Sequence, residues 1–244
     1  MSKERNKADD YREKAYAGDT KAMNNLGVCY ERGTGVKVNL EMAFKCSHQL
    51  AIENKLRYER FFDIELRMPA ILAYYGQAYK CLQAETLKER DFIFAQGHLW
   101  ITSFLYGLLR PLDMIHPYRM EGKVELDGKT MFLHWKPLLT DMLIDSVKAD
   151  DGILVHLATE EMQHLFDWKR VCKEVKVIQP EFLVMKNGKL KVVTVYAKSC
   201  RGAMTRFIIK NQLAMPDNLH HFEYEGFEYS AEYGDASHPH FIID

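Results

Sequence analysis

A mixed α+β fold is what the sequence predicts, and three observations predict it. Residues 8–51 follow a helical pattern rich in small side chains. The stretches 70–82, 92–109 and 137–147 read as further helices, the second apolar on most faces and the third amphipathic. KVIQPEFLVM and KLKVVTVYA alternate as strands and meet at Asn187-Gly188, the strongest short hairpin signal.

Taken in order, small residues at Ala17, Ala22, Gly27 and Ala43 let the first helices approach closely. Gly33 and Gly35 supply a permissive turn between a helix ending near Arg32 and another starting after Asn39. The pattern AGDTKAMNNLGVCYERGTGV, followed by the alanine of EMAFK, resembles a Sel-type repeat, a helical hairpin of the tetratricopeptide class. Residues 1–44 are therefore expected to be a Sel-like segment and residues 45–244 the main domain. The helix over 92–109 is expected to be central and buried. ILVHLA (153–158) is a short apolar run of the buried-strand type. After the hairpin a helix is expected from about Arg201 to Leu213, and the tail returns to short aromatic strands.

Composition narrows the function classes. The chain has 244 residues, 47% of them hydrophobic and 27% charged, as in ordinary soluble domains. Its 33 basic and 34 acidic residues nearly cancel, so bulk charge argues for neither nucleic acid nor membrane, and only a local basic face would serve. The polar start MSKERNKADDYREK lacks the apolar core of a signal peptide, and no run approaches the roughly 20 apolar residues of a membrane span. The five cysteines are scattered and never in C-x-x-C spacing, which predicts reduced thiols in a cytoplasmic protein.

The chemistry-bearing stretch is LYGLLRPLDMIHPYRME, 105–121. Arginine and carboxylate rarely occur in so apolar a run unless they are paired or gathered at a site. Arg110 leaves an apolar segment at Pro111, and its planar fork suits carboxylate or phosphate. Asp113 is placed to orient it, Tyr106 and Tyr118 to stack or donate, and Arg119 to pair with Glu121. Lys198, Arg201 and Arg206 follow the hairpin, and Gly202 admits a close backbone. Structural ion pairs tying loops to the core are the competing reading. Glu160, Glu161 and His164 have metal-ligand spacing on a helix, but a solvated face is the better reading. The pairs His220-His221 and His238/His240 lack a third ligand in register. Cys200 beside Arg201 reads as a packed small residue rather than a peroxide-sensing thiolate. Residues 55–60, KLRYER, form a charged face that would suit phosphates. No metal or cofactor site is legible.

YYGQAYKCLQAETLKERDFIFAQGHLWITSFLYGLLRPLDMIHPYRME, with YAKSCRGAMTRFIIKNQL later, is similar to the YaaA family of peroxide-stress proteins. Leu105-Tyr106-Gly107, Arg110-Pro111-Leu112-Asp113, Pro117-Tyr118-Arg119, Lys198, Arg201-Gly202 and Arg206 match in order and spacing. Trp135 and Leu157-Ala158 add to the match. The resemblance implies a cytosolic protein that limits oxidative damage during hydroperoxide stress. It also implies an α/β-type domain whose basic cleft binds double-stranded DNA, with Arg110, Arg119, Lys198, Arg201 and Arg206 as binding residues. The family's opening strand segment is not matched here. Its helix-hairpin-helix element reads SHQLAIEN (47–54), with Ile52 where the family has glycine. Two alternatives stand beside DNA binding. One is an enzyme acting on a nucleobase or nucleotide at Arg110, Asp113 and Arg119; the other is an interaction module that engages a protein partner through residues 8–44.

Overall fold

The computed structural model describes residues 7–16, 29, 36, 37, 59, 61 and 63–244. The chain divides into two compact units, residues 1–66 with 116–119, and residues 67–115 with 120–244. In the first unit a helix, α1, spans Lys7–Tyr16, and Lys14 pairs with Asp10 one turn earlier at 2.8 Å. The His116 ring lies 4.9 Å from that of Phe61. Apart from α1 and single residues, the expected Sel-like hairpin lies outside the described residues, as does the 47–54 element.

The second unit opens with β1 (Met68–Pro69), paired antiparallel with β4 (Met114–Ile115). The helix expected over 70–82 is two helices, α2 (Ala70–Ala73) and α3 (Gln77–Leu82). Tyr74 turns extended after α2, and Gly76 stands as the extended N-cap of α3. The helix expected over 92–109 is also corrected. α4 spans only Glu89–His98, and an antiparallel hairpin follows, β2 (Ile101–Ser103) with β3 (Gly107–Leu109). The Ser103 hydroxyl accepts the N–H groups of Leu105 (3.2 Å) and Tyr106 (2.8 Å), which tightens the turn. Gly107 takes φ +77° with the Trp135 ring 3.0 Å from where a Cβ would stand. A tight hairpin buried on alternate residues carries as many apolar side chains as a buried helix, so hydrophobicity alone did not separate the two.

A short β5 (Glu125–Leu126) and β6 (Lys129–Thr130) pair antiparallel and lead into α5, which spans Met131–Ala149. It starts before the expected Pro137 because the Thr130 hydroxyl caps the Leu133 N–H at 3.4 Å. β7 (Ile153–Val155) runs parallel to β8 (Lys176–Ile178), connected through α6 (Glu160–Gln163) and α7 (Trp168–Glu174). β9 (Glu181–Lys186) and β10 (Lys189–Val192) make the expected Asn187-Gly188 hairpin. Both turn residues have positive φ, 54° and 68°. β12 (Pro239–Ile243) lies parallel to β9 and antiparallel to β11 (Glu228–Gly234), giving a four-stranded sheet in the order β10-β9-β12-β11.

α8 spans Thr194–Asn211, so it begins immediately after β10 and not at Arg201. The β-branched run VVTV reads as strand, but Ala197, Cys200 and Met204 bury one helical face against Ile178, Phe182 and Phe241, and that packing decides the conformation. Two apolar clusters form the core of this unit. One gathers Leu139 and Leu143 of α5, Val171 of α7 and Leu165 from the turn before α7. The other gathers α8, β9 and β12 through Met204, Phe182 and Phe241, with Phe222 from the segment after α8. β7 serves both: Leu154 packs against the first, and Ile153 and Val155 against the second. Among the described residues no helix is long and apolar enough to cross a membrane.

Candidate functional site

Two of the expected anion-binding arginines hold helix ends. The Arg110 guanidinium donates to the carbonyls of Gly97 (3.1 Å) and Leu99 (3.4 Å) at the C-terminus of α4. It also donates to the Ser146 hydroxyl (3.3 Å) and stacks 3.5 Å over the Trp100 ring. Burial lowers its pKa, with the Asp113 and Asp150 charges opposing that shift. Asp113 accepts the Arg110 backbone N–H at 2.7 Å, so the carboxylate fixes the turn rather than the fork. Arg206 donates to the carbonyls of Leu82 and Gln83, each at 3.0 Å, closing the C-terminus of α3. A cation on terminal carbonyls satisfies both hydrogen bonding and the helix dipole. Part of each guanidinium expected to bind phosphate is thus taken up by the protein: Arg110 Nη1 and Arg206 Nη1 donate to helix-end carbonyls.

The other expected residues divide. Tyr106 is half-buried in the β2–β3 turn, and Glu121 is exposed after β4. Tyr118 and Arg119 are half-buried in the first unit. Lys198 and Arg201 lie on α8 one turn apart, with Thr194 and Thr205 on the same helical face. Arg201 is mid-helix, not at the helix start expected there. Gly202 faces α3, where a Cβ would overlap the Ala78 carbonyl; the close backbone it admits is the protein's own.

Arg201 belongs to a polar cluster at the carboxyl end of β7. His156, the residue after that strand, donates its backbone N–H to the Ile178 carbonyl at 2.8 Å and packs its ring 4.7 Å from Trp168. Burial, reinforced by the Arg201 charge, pushes the His156 pKa down to about 4, so the imidazole is neutral at pH 7. Its Nδ1 is buried without a hydrogen-bond partner. Arg201 is itself desolvated, which lowers its pKa, while Glu160 and Glu181 act on it in the opposite sense. Parallel pairing of β9 and β12 sets His240 opposite Glu181, with Nε2 and Oε2 3.5 Å apart, and leaves His240 Nδ1 buried without a partner.

A second feature is the face of the β9–β10 hairpin. Lys189 is directly opposite Lys186, and Lys191 follows two residues on, so all three ammonium groups share one face. All three are exposed, and no hydrogen bond or ion pair holds them among the described residues. Like charges directly opposite on a sheet are destabilising. The signal was present in the sequence as KNGKLK: once Asn187-Gly188 is a two-residue turn, the register of the lysines follows.

Cys200, Trp135 and Trp100 resolve as packing. Cys200 is fully buried, and burial, with Glu225 and Cys81 nearby, pushes its thiol pKa up to about 12, the opposite of a reactive thiolate. Trp135 donates to the Phe104 carbonyl at 2.8 Å, and Trp100 donates to Ser146 at 2.9 Å. Glu160 and Glu161 begin α6 with His164 at its C-cap, and among the described residues no three His, Cys, Asp or Glu side chains are placed to hold a metal ion.

Residues 21–233 match the family model described as peroxide stress protein YaaA. The chain belongs to the YaaA family. A UPF0246 protein of Bacteroides fragilis is 50% identical over 202 residues, 81% of this chain and 79% of the relative. One from Phocaeicola vulgatus is 50% identical over 203 residues, 82% and 80% of the two chains. One from Porphyromonas gingivalis is 41% identical over 210 residues, 84% and 82%. The YaaA match reaches into the segment read above as Sel-like, and nothing in these comparisons supports a Sel-type repeat there. Several of the motifs that carried the YaaA resemblance are seen here as architecture. Arg110 and Arg206 close helices, Gly107 admits Trp135, and Gly202 admits α3.

Proposed function

We propose that this YaaA-family chain serves the response to hydroperoxide by binding double-stranded DNA, and that the contact surface is the basic hairpin face with Lys198 beyond it. The observation that carries this reading is the cross-strand pair Lys186–Lys189 with Lys191 beside it, three exposed positive charges with no counter-ion among the described residues. A sheet face that accepts like-charge repulsion is suited to a polyanion, which removes it. Arg201, half-buried with the Glu160 and Glu181 charges acting on it, is expected to contribute less than the exposed lysines, as are Arg110 and Arg206, which already donate to helix-end carbonyls. Neither the near-zero net charge nor the pI opposes the reading, because affinity for phosphate follows local charge.

Titration of a fluorescent duplex at low salt is expected to show binding that weakens steeply as salt is added. The variant carrying Lys186→Gln, Lys189→Gln and Lys191→Gln is expected to lose most of that affinity. Its log–log salt slope should fall by about 0.9 for each phosphate contact removed. Absence of duplex binding by the unmodified chain, or an unchanged slope in the triple variant, would remove this function.

A further inference from the structure

The cluster at the end of β7 is not explained by packing. Five elements deliver polar groups to it: His156 follows β7, Glu160 opens α6, Glu181 opens β9, His240 stands in β12, and Arg201 lies on α8. The run 176–186 changes neighbours at this point. β7 pairs residues 176–178, β12 pairs 181–184 and β10 pairs 183–186, so residues 179 and 180 pair with none of the three. The carboxyl end of β7 is thus where the two-stranded β7–β8 sheet gives way to the four-stranded sheet. Two ring nitrogens there, His156 Nδ1 and His240 Nδ1, are buried without partners, and the Arg201 guanidinium makes no hydrogen bond or ion pair among the described residues. Buried polar atoms left unpaired within the protein are positions where a water or a ligand can bind. Glu160 is exposed and the Glu181 side chain is 39% exposed, so the cluster is open to solvent.

The donor set states what fits. Arg201 offers only donors, Glu160 and Glu181 only acceptors, and a neutral histidine one of each. A simple anion would meet two carboxylates, and a simple cation would meet a desolvated guanidinium. An uncharged planar ring with donors and acceptors along one edge satisfies both, and the His156 and Trp168 rings supply flat apolar surface beside it. That is the chemistry of a nucleobase edge. We propose that the carboxyl end of β7 binds a nucleoside through its base, with Arg201 and Glu160 reading the edge. This does not rest on the DNA reading, since a free nucleoside has no phosphate.

The test is chemical-shift perturbation of the full chain by adenosine, cytidine, guanosine and thymidine, each titrated into the millimolar range at high salt. At least one is expected to give saturable shifts, weakened about tenfold in Arg201→Lys and in Glu160→Gln, as loss of one charge-assisted hydrogen bond implies. Glu160 is exposed, so its variant keeps the fold even if the Arg201 variant does not. Nucleoside binding should survive in the hairpin triple-lysine variant, which separates this site from the duplex surface. No saturable shift with any of the four, or equal affinity in the unmodified chain and Glu160→Gln, would overturn the proposal.

Discussion

Arg206 illustrates how a residue type that suggests a ligand can be claimed by the protein's own backbone. Its two carbonyl partners close α3, so Arg206→Gln is expected to lower stability by about 1.5–3 kcal/mol, the usual worth of hydrogen bonds to a charged group. Urea unfolding checks this, and duplex affinity should be unchanged. Asp91 is the second residue whose role is set by its surroundings. It is fully buried, accepts the Lys88 N–H at 2.9 Å, and meets Lys210 Nζ at 2.9 Å. The Lys88 N–H, then the Lys210 hydrogen bond, hold its carboxyl below the usual 3.8. Because the folded value is depressed, the stabilisation is complete above the unfolded value and is lost as pH falls through the folded one. Asp91→Asn should therefore be less stable than the parent at neutral pH, with the gap closing as pH drops below 3.8. Equal urea midpoints at neutral pH would refute this assignment.

At the scale of elements, the crossing of α3 on α8 depends on one missing methyl group. The Gly202 Cα faces the Ala78 backbone so closely that an added Cβ would overlap it, and backbone cannot rotate away as a side chain can. Gly202→Ala is expected to cost about 1–3 kcal/mol. Gly97→Ala, near the exposed end of α4 with nothing within 4 Å of a new Cβ, should raise stability by about 0.5–1 kcal/mol through helix propensity. Opposite shifts in the two thermal midpoints are the readout. The same crossing fixes Gln77 against Ser199 at 2.9 Å, so a separation of the helices would break this bond as well.

Across the whole molecule, β7 is shared by the two apolar clusters of the second unit, which should make that unit unfold as one. Leu165 and Met204 are fully buried in different clusters. Leu165→Ala and Met204→Ala are each expected to cost about 2–5 kcal/mol, and each should shift the same transition, followed by near-ultraviolet dichroism and fluorescence together. Two separable transitions would show independent clusters. The sequence by itself determined the α+β class, the Asn187-Gly188 hairpin, the family and the burial of Cys200, because local turn chemistry, alternation and ordered motifs are written in neighbouring residues. It did not determine that 92–109 breaks into a helix and a hairpin, or that α8 starts at Thr194, because apolar content there fits either period. Only the tertiary structure decided which cations are engaged by backbone carbonyls. Arg110 and Arg206 resemble Lys198 as charges in a string, but two of the three meet helix carbonyls supplied by distant segments. Glu181 and His240 become neighbours for the same reason: strand pairing between remote stretches sets the distances at which charge and hydrogen bonding act.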